Sequence, residues 1–310
     1  MTKVFIDGSQ GTTGLKIFDR LKTRSDITLI TLPEEKRKDL SARKAALNSA
    51  DIAFLCLPDA AAIEAAGLIE NDKTVVLDTS TAHRTDAGWV YGFPELSKEA
   101  ETALKQSNRI AVPGCYASGF IALVKPLIDA GFLPADYGFM CHAMSGYSGA
   151  GKKGIAQYET AEREAALDAP RLYALTQEHK HLKEMQKISG LTRTPVFCPY
   201  ICDYFCGMTV TVPVFASDLQ NGKTAEDIRA LYSEIYNTKI VHYKENIDES
   251  GFICANGKSE KDSMEITVNG NAERILLTAR YDNLGKGASG AALECMNLKM
   301  GLPAEYGLNL

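Results

Sequence analysis

The sequence predicts an α/β protein in two parts: a doubly wound domain with a parallel sheet, followed by an α+β domain whose sheet is mostly antiparallel. Three observations predict it. Over roughly the first hundred residues, short apolar runs alternate with helical stretches. Those runs are continuous rather than alternating, as in DIAFLCLP at 51–58, which marks strands covered on both faces. Beyond Cys115, strand-like segments follow one another with few helices between them, which favours antiparallel pairing.

Taken in order, Val4–Asp7, Ile27–Leu32, Asp51–Pro58 and Thr74–Asp78 read as strands, and Thr12–Lys22, Ser41–Ser49 and the alanine-rich Asp59–Glu70 as helices. Ala117–Ala130 reads as a helix and Gly138–Met144 as a strand. A loop rich in glycine and serine follows at 145–154, then a polar helix over about Gly154–Leu167. Met208–Phe215, Glu265–Val268 and Arg274–Tyr281 read as strands, with a helix at Thr224–Tyr236 and a last one at about Gly287–Met300. The expected division is residues 1–114 with 287–310 in the first domain, and 115–286 in the second.

Composition narrows the function classes. With 45% hydrophobic and 24% charged residues, the 310-residue chain is ordinary for a globular protein and long enough for a sizeable core. Its net charge of −5 argues against a nucleic-acid partner, which usually requires a basic face. No apolar run reaches the ~20 residues that span a membrane, and Lys3-Val4-Phe5-Ile6-Asp7 opens directly as a strand, without a signal-peptide pattern. Several of the eight cysteines sit inside apolar runs, the usage of reduced thiols, and the expected location is the cytoplasm.

The first chemical motif is Asp7-Gly8-Ser9-Gln10-Gly11-Thr12-Thr13-Gly14, set between a strand and a helix. Gly8, Gly11 and Gly14 form a Gly-x-x-Gly-x-x-Gly variant of the dinucleotide fingerprint. Glycines let backbone amides approach a pyrophosphate, and the helix N-terminus beginning at Thr12 and Thr13 adds positive potential. A plain glycine turn has the same spacing, but strand, loop and helix together favour a Rossmann-type site. After the second strand, Lys36, Arg37 and Lys38 can meet the 2′-phosphate of NADP(H), although Glu34 and Glu35 precede them and a solvated charged loop fits equally.

The second motif, Pro113-Gly114-Cys115-Tyr116-Ala117-Ser118, places a thiol at a helix start, where the dipole favours the nucleophilic thiolate. The other cysteines read as packing. Cys198, Cys202 and Cys206 recur every fourth residue but lack the spacing and companion ligands of a metal site. The third motif is His179-Lys180-His181-Leu182-Lys183-Glu184, which holds two of the chain's five histidines. A helix starting near His181 puts Glu184 one turn along on the same face, where it can orient the imidazole of a general acid–base. An extended lead-in would turn His179 the other way.

Together these motifs resemble the N-acetyl-γ-glutamyl-phosphate reductase family in its shorter form, along nearly the whole chain. The resemblance also rests on LDTSTAHR at 77–84, YGFPEL at 91–96, SGYSGAGK at 145–152 and DNLGKGASG at 282–290. It implies NADPH-dependent reduction of an acyl phosphate, N-acetyl-γ-glutamyl phosphate, to the semialdehyde through a thioester on Cys115. His181 would be the acid–base, with His179 the alternative. The implied cofactor contacts add Ser80, Asn283 as carboxamide anchor, Gly285 and Gly287. Arg84 would bind an anionic group, and Ser145, Ser148 and Gly149 would line a small-molecule pocket. No metal, nucleic acid or membrane is expected, and a homo-oligomer, tetramer or dimer, is. An aspartate-semialdehyde dehydrogenase shares thiol, fold and histidine, but Gly-Cys-Tyr at 114–116 favours the first family. A non-catalytic NADP-binding sensor would need no reactive thiol. The cysteine run at 198–206 departs from the family pattern.

Overall fold

The computed structural model describes residues 1–310, which divide into two compact units: 1–94, 99–114 and 291–306 in the first, and 95–98, 115–290 and 307–310 in the second. Against the expected division, residues 95–98, 287–290 and 307–310 fall in the second unit. Glu95 is tied there by Lys286, whose Nζ lies 2.8 Å from both carboxylate oxygens. Asn309 is tied there by Asp262, with one backbone hydrogen bond of 2.7 Å and one to the carboxylate of 2.8 Å.

The first unit contains β1 (Thr2–Asp7), α1 (Thr12–Leu21), β2 (Ile27–Ile30), α2 (Leu40–Ser49), β3 (Ile52–Leu55), α3 (Asp59–Gly67), β4 (Val75–Asp78), β5 (Val90–Tyr91), α4 (Lys98–Gln106) and β6 (Arg109–Ala111). Its strands form one parallel sheet in the order β2-β1-β3-β4-β6-β5. Val4, Ala53, Phe54, Leu55, Val76 and Leu77 are fully buried, as strands covered on both faces require. The expected strands and helices are present here, β1 and α2 starting earlier than expected and the others with shorter ends, while β5, α4 and β6 have patterns too short or too polar to read.

The second unit contains α5 (Cys115–Asp129), β7 (Met140–Gly146), α6 (Gly151–Glu159), β8 (Arg171–Leu172), α7 (His181–Ile188), β9 (Val196–Cys202), β10 (Met208–Phe215), α8 (Ala225–Ile235), β11 (Val241–Tyr243), β12 (Met264–Gly270) and β13 (Arg274–Tyr281). The sheet order is β11-β12-β13-β10-β7-β9-β8. It is mostly antiparallel, as expected, with two parallel pairs, β7 with β9 and β11 with β12. On β10, buried Met208, Val210, Val212 and Val214 alternate with more exposed Thr209, Thr211, Pro213 and Phe215, so the sheet is packed on one face. Helices α5 and α8 cover that face. Two expectations change. The strand reaches Gly146, and the following helix runs over 151–159 instead of 154–167, with a separate turn at 165–168.

Helix α5 is almost entirely buried and contains Pro126. Proline has no N–H for the carbonyl four residues back, Ala122. The Tyr236 hydroxyl donates to that carbonyl at 2.7 Å, and the Tyr232 hydroxyl donates to Leu123 next to it. Both phenols are fully buried, and burial raises their pKa well above the ordinary range. The last helix, α9 (Gly290–Lys299), follows a single π-turn at 285–289. Its residues 291–299 belong to the first unit, where Cys295 donates to the Gly92 carbonyl and Asn297 accepts from Arg24.

Candidate active site and dinucleotide cavity

The glycine loop stands between β1 and α1. Gly8 has φ +89°, and a Cβ there would run into the carbonyl oxygen of Cys56; one on Gly14 would run into the carbonyl of Gly8. These two glycines fold the loop. Gly11 differs: a Cβ would meet nothing closer than 3.5 Å, and Gly11 lines a cavity of about 980 Å³. It is also the N-cap of α1, and no side chain caps this terminus. Free space, a bare backbone and the open start of a ten-residue helix fit a pyrophosphate.

The cavity is walled by Leu29, Ile30 and Leu32 and by the loop after β2, from which Glu34, Glu35, Arg37 and Lys38 reach it. Lys36, in a 3₁₀ turn, does not line it, whereas Arg37 and Lys38, expected with it, do. Thr12 and Thr13 form the first turn of α1 without lining the cavity. Ser80 is turned elsewhere: its hydroxyl donates to Asp78 Oδ2 at 2.7 Å, beside His83 Nδ1 at 2.6 Å, and His83 stacks on Trp89 at 4.0 Å. Arg84, expected to bind an anion, is buried and spends Nε on the Val112 carbonyl and Nη2 on that of Thr79, both at 2.9 Å. It staples the segment that leads into Cys115.

In the second unit, Cys115 is the first residue of α5. Its carbonyl accepts from the Tyr281 hydroxyl at 2.5 Å, which in turn accepts from the Gly119 N–H at 3.0 Å. Gly287, in the π-turn, lies against it: a Cβ on Gly287 would come within 3.0 Å of the Cys115 Cβ. Gly285 has no room for a side chain either, since the Lys261 carbonyl fills it. Burial, and then the nearby Cys115, raise the Tyr281 pKa, and Glu184 adds to this.

Helix α7 packs against α5 and begins with buried His181; buried Glu184 follows one turn along on the same face. The lead-in is not extended. Lys180 is in the right-handed helical region, and the Leu182 N–H bonds the His179 carbonyl. The two imidazoles therefore share one cluster, with centroids 4.7 Å apart, instead of pointing to opposite sides. Each lies 6.0 Å from the ring of Tyr116. His179 Nδ1 accepts the His181 backbone N–H at 3.1 Å, which leaves its proton on Nε2, 3.5 Å from the Tyr173 hydroxyl. Burial, reinforced by Lys180, lowers the His179 pKa to about 4, so this ring is neutral near pH 7.

Ser145, Ser148, Gly149 and Asn283 are brought together. Asn283 Nδ2 donates to Ser148 Oγ at 2.9 Å, and Oδ1 accepts from the Gly207 N–H at 3.0 Å. A Cβ on Gly149 would lie 3.2 Å from Ser145 Oγ. The Asn283 carboxamide, expected as a nicotinamide anchor, thus holds the 145–149 loop to the turn before β10. Tyr147 in that loop stacks on Tyr158 at 4.6 Å, and both pack with Tyr173 around Leu167 and Ile201. Tyr173 and Tyr116 were missed in the sequence reading. Tyr116 directly follows Cys115, but Tyr173 arrives through the two-residue strand β8, for which no pattern exists.

Cys202 and Cys206 are buried, and burial raises both thiols, that of Cys206 to about 11. No cluster of three or more His, Cys, Asp or Glu is arranged to hold a metal ion. No helix is long and apolar enough to cross a membrane.

Residues 3–104 match the family described as semialdehyde dehydrogenase, NAD binding domain, and residues 115–283 match semialdehyde dehydrogenase, dimerisation domain. The N-acetyl-gamma-glutamyl-phosphate reductase of Trichormus variabilis is 42% identical over 99% of both chains. N-acetyl-gamma-glutamyl-phosphate reductase 2 of Pseudomonas putida is 43% identical over 98% of both. Among solved structures, aspartate semialdehyde dehydrogenase II from Vibrio cholerae shares the fold, with a TM-score of 0.72 over 97% of this chain and 98% of that one at 19% identity. With this identity and coverage along both chains, the chain belongs to the N-acetyl-gamma-glutamyl-phosphate reductase family of the semialdehyde dehydrogenases.

Proposed function

We propose that the protein reduces N-acetyl-γ-glutamyl phosphate to N-acetylglutamate 5-semialdehyde and phosphate, with NADPH, through a thioester on Cys115. The observation that carries this reading is a thiol at the start of a buried helix, followed by Tyr116, whose ring lies 6.0 Å from two imidazoles, in a chain over 40% identical to reductases of that name. The helix dipole favours the Cys115 thiolate. Its sulfur attacks the acyl carbon; the C–S bond forms, the C–O bond to phosphorus breaks, and phosphate leaves with the electron pair. Bound NADPH supplies the hydride. His181 moves the proton at the acyl oxygen and at sulfur, while neutral His179 fixes the start of α7. Ser145, Ser148 and Gly149 shape the substrate pocket.

For the cofactor, Arg37 and Lys38 line the cavity in no ion pair of their own, which supports a 2′-phosphate and hence NADP(H). Replacing both with alanine should weaken NADPH binding about tenfold or more and leave NADH within about threefold, read by fluorescence titration. A homo-oligomer working in the cytoplasm completes the reading. The dimerisation-domain match supports the first part, as do exposed Met140, Met144, Val196 and Leu276 on the sheet's uncovered face. Light scattering on the purified protein distinguishes dimer from tetramer.

The chemistry is tested at Cys115. Cys115→Ser should abolish turnover while retaining NADPH binding, and mass spectrometry of the native protein with the acyl phosphate should show the acyl mass on the peptide holding Cys115. Substantial turnover by the serine variant would refute the covalent route.

A further inference from the structure

A buried ion pair forms the floor of the dinucleotide cavity. Asp7, the last residue of β1, directly precedes Gly8, and its carboxylate is 4% exposed. Arg43 of α2 grips it twice, with Nε 3.1 Å and Nη2 3.0 Å from Oδ2. The remaining arm, Nη1, reaches Glu64 of α3 at 2.8 Å, so one guanidinium ties β1, α2 and α3 together under the loop. Asp7 and Arg43 both line the cavity. A bare carboxylate one residue before a loop that must accept a pyrophosphate opposes binding, since like charges in a poorly solvated site repel over several ångströms. Removing the arginine would leave that charge buried and uncompensated.

We propose that Arg43 is a positioning residue for the dinucleotide, acting through Asp7: by pairing with this carboxylate it makes the cavity floor compatible with an anionic ligand. The proposal rests on the dinucleotide reading above and on the pyrophosphate that NADPH and NADH share. It takes Arg43 to act on Asp7 and not to touch the ligand, so a neutral pair should serve as well as a charged one.

The test is the NADPH dissociation constant, by fluorescence titration, with the thermal midpoint of each variant recorded alongside. Arg43→Met should weaken NADPH binding about 10–100-fold, the scale for stranding one partner of a buried charge pair. Asp7→Asn should bind within about threefold of wild type. Asp7→Asn/Arg43→Met, which removes both charges, should also return to within about threefold, since a buried ion pair is often replaceable by neutral groups. A double variant as weak as Arg43→Met would overturn the proposal, as would Arg43→Met binding like wild type. Should Arg43→Met not fold, the double variant and Arg43→Lys decide: weak binding by either refutes it. NADH bound as tightly as NADPH by wild type would refute only the choice of cofactor. Wild type that binds neither would refute both readings.

Discussion

Two histidines two residues apart look interchangeable in the sequence, and their surroundings separate them. His179 has its Nδ1 occupied by a backbone N–H and a pKa near 4, so it is a poor proton acceptor at neutral pH. His181 begins the helix against α5, in the same aromatic cluster, with Glu184 one turn away. His181→Asn should therefore lower kcat by about 10²–10⁴-fold with NADPH affinity unchanged. His179→Gln should cost far less and leave the near-neutral limb of the pH–rate profile in place. Loss of that limb in the His179 variant alone would reverse the assignment. The depressed pKa also has a sign for stability. The folded protein binds fewer protons at His179 than the unfolded chain, so stability falls as pH drops from about 6.5 towards about 4. His179→Gln should flatten that slope in thermal melts. The sequence showed the thiol at a helix start, both imidazoles and the folding glycines, because each announces itself by type and spacing. It did not show that Arg84 would be spent on backbone carbonyls or that Asn283 would brace a loop, since partners distant in the chain decide both.

Elements were legible where one periodicity governed a long enough run, as for β1, β3, α5, β10 and β13. They were hidden where a local feature masked the pattern. A proline such as Pro199 is rare inside a strand, and no strand is expected there, yet β9 pairs in parallel with β7 over seven residues. The charged stretch after Glu159 looks like more helix and is not. Helix α5 shows how an element can depend on a distant one. With Pro126 in its last turns, the Ala122 carbonyl has no helical donor, and Tyr236, just beyond α8, supplies one. Tyr236→Phe keeps the ring and removes only that donor, leaving a buried acceptor unsatisfied. It should cost about 1–3 kcal/mol of stability, read by denaturant titration. In a Pro126→Ala background, where the helix supplies its own N–H, the same change should cost distinctly less. Equal losses in both backgrounds would show that the hydroxyl is not answering the proline.

At the scale of the whole molecule, the chain leaves the first unit at Gly114, builds the second, and re-enters the first at Ala291. The alternation of strands and helices announced the first unit and a change of pattern announced the second, but the exchange of short pieces between them depends on single ion pairs and turns. The returning segment is part of the first unit's core: Ala291, Ala292, Leu293, Cys295 and Met296 are buried, and Lys299 donates to the Lys105 carbonyl. Every residue that lines the cavity at the glycine loop, the proposed dinucleotide site, lies before residue 62, so none is removed by a C-terminal deletion. If the segment were only a tail, a chain ending at Gly290 would still bind NADPH. The packing predicts otherwise. Removing 291–310 exposes the apolar surface that α9 covers, at about 25 cal/mol per Å², and strips Arg24 of Asn297. The shortened chain should lose NADPH binding together with the cooperative melt of the first unit. A chain ending at Tyr306 loses only 307–310 and with them the Asn309–Asp262 contacts of the second unit. That chain should bind NADPH as wild type does. Fluorescence titration of the two truncations decides between a structural strand of core and a dispensable tail: NADPH binding by the chain ending at Gly290 would show the tail.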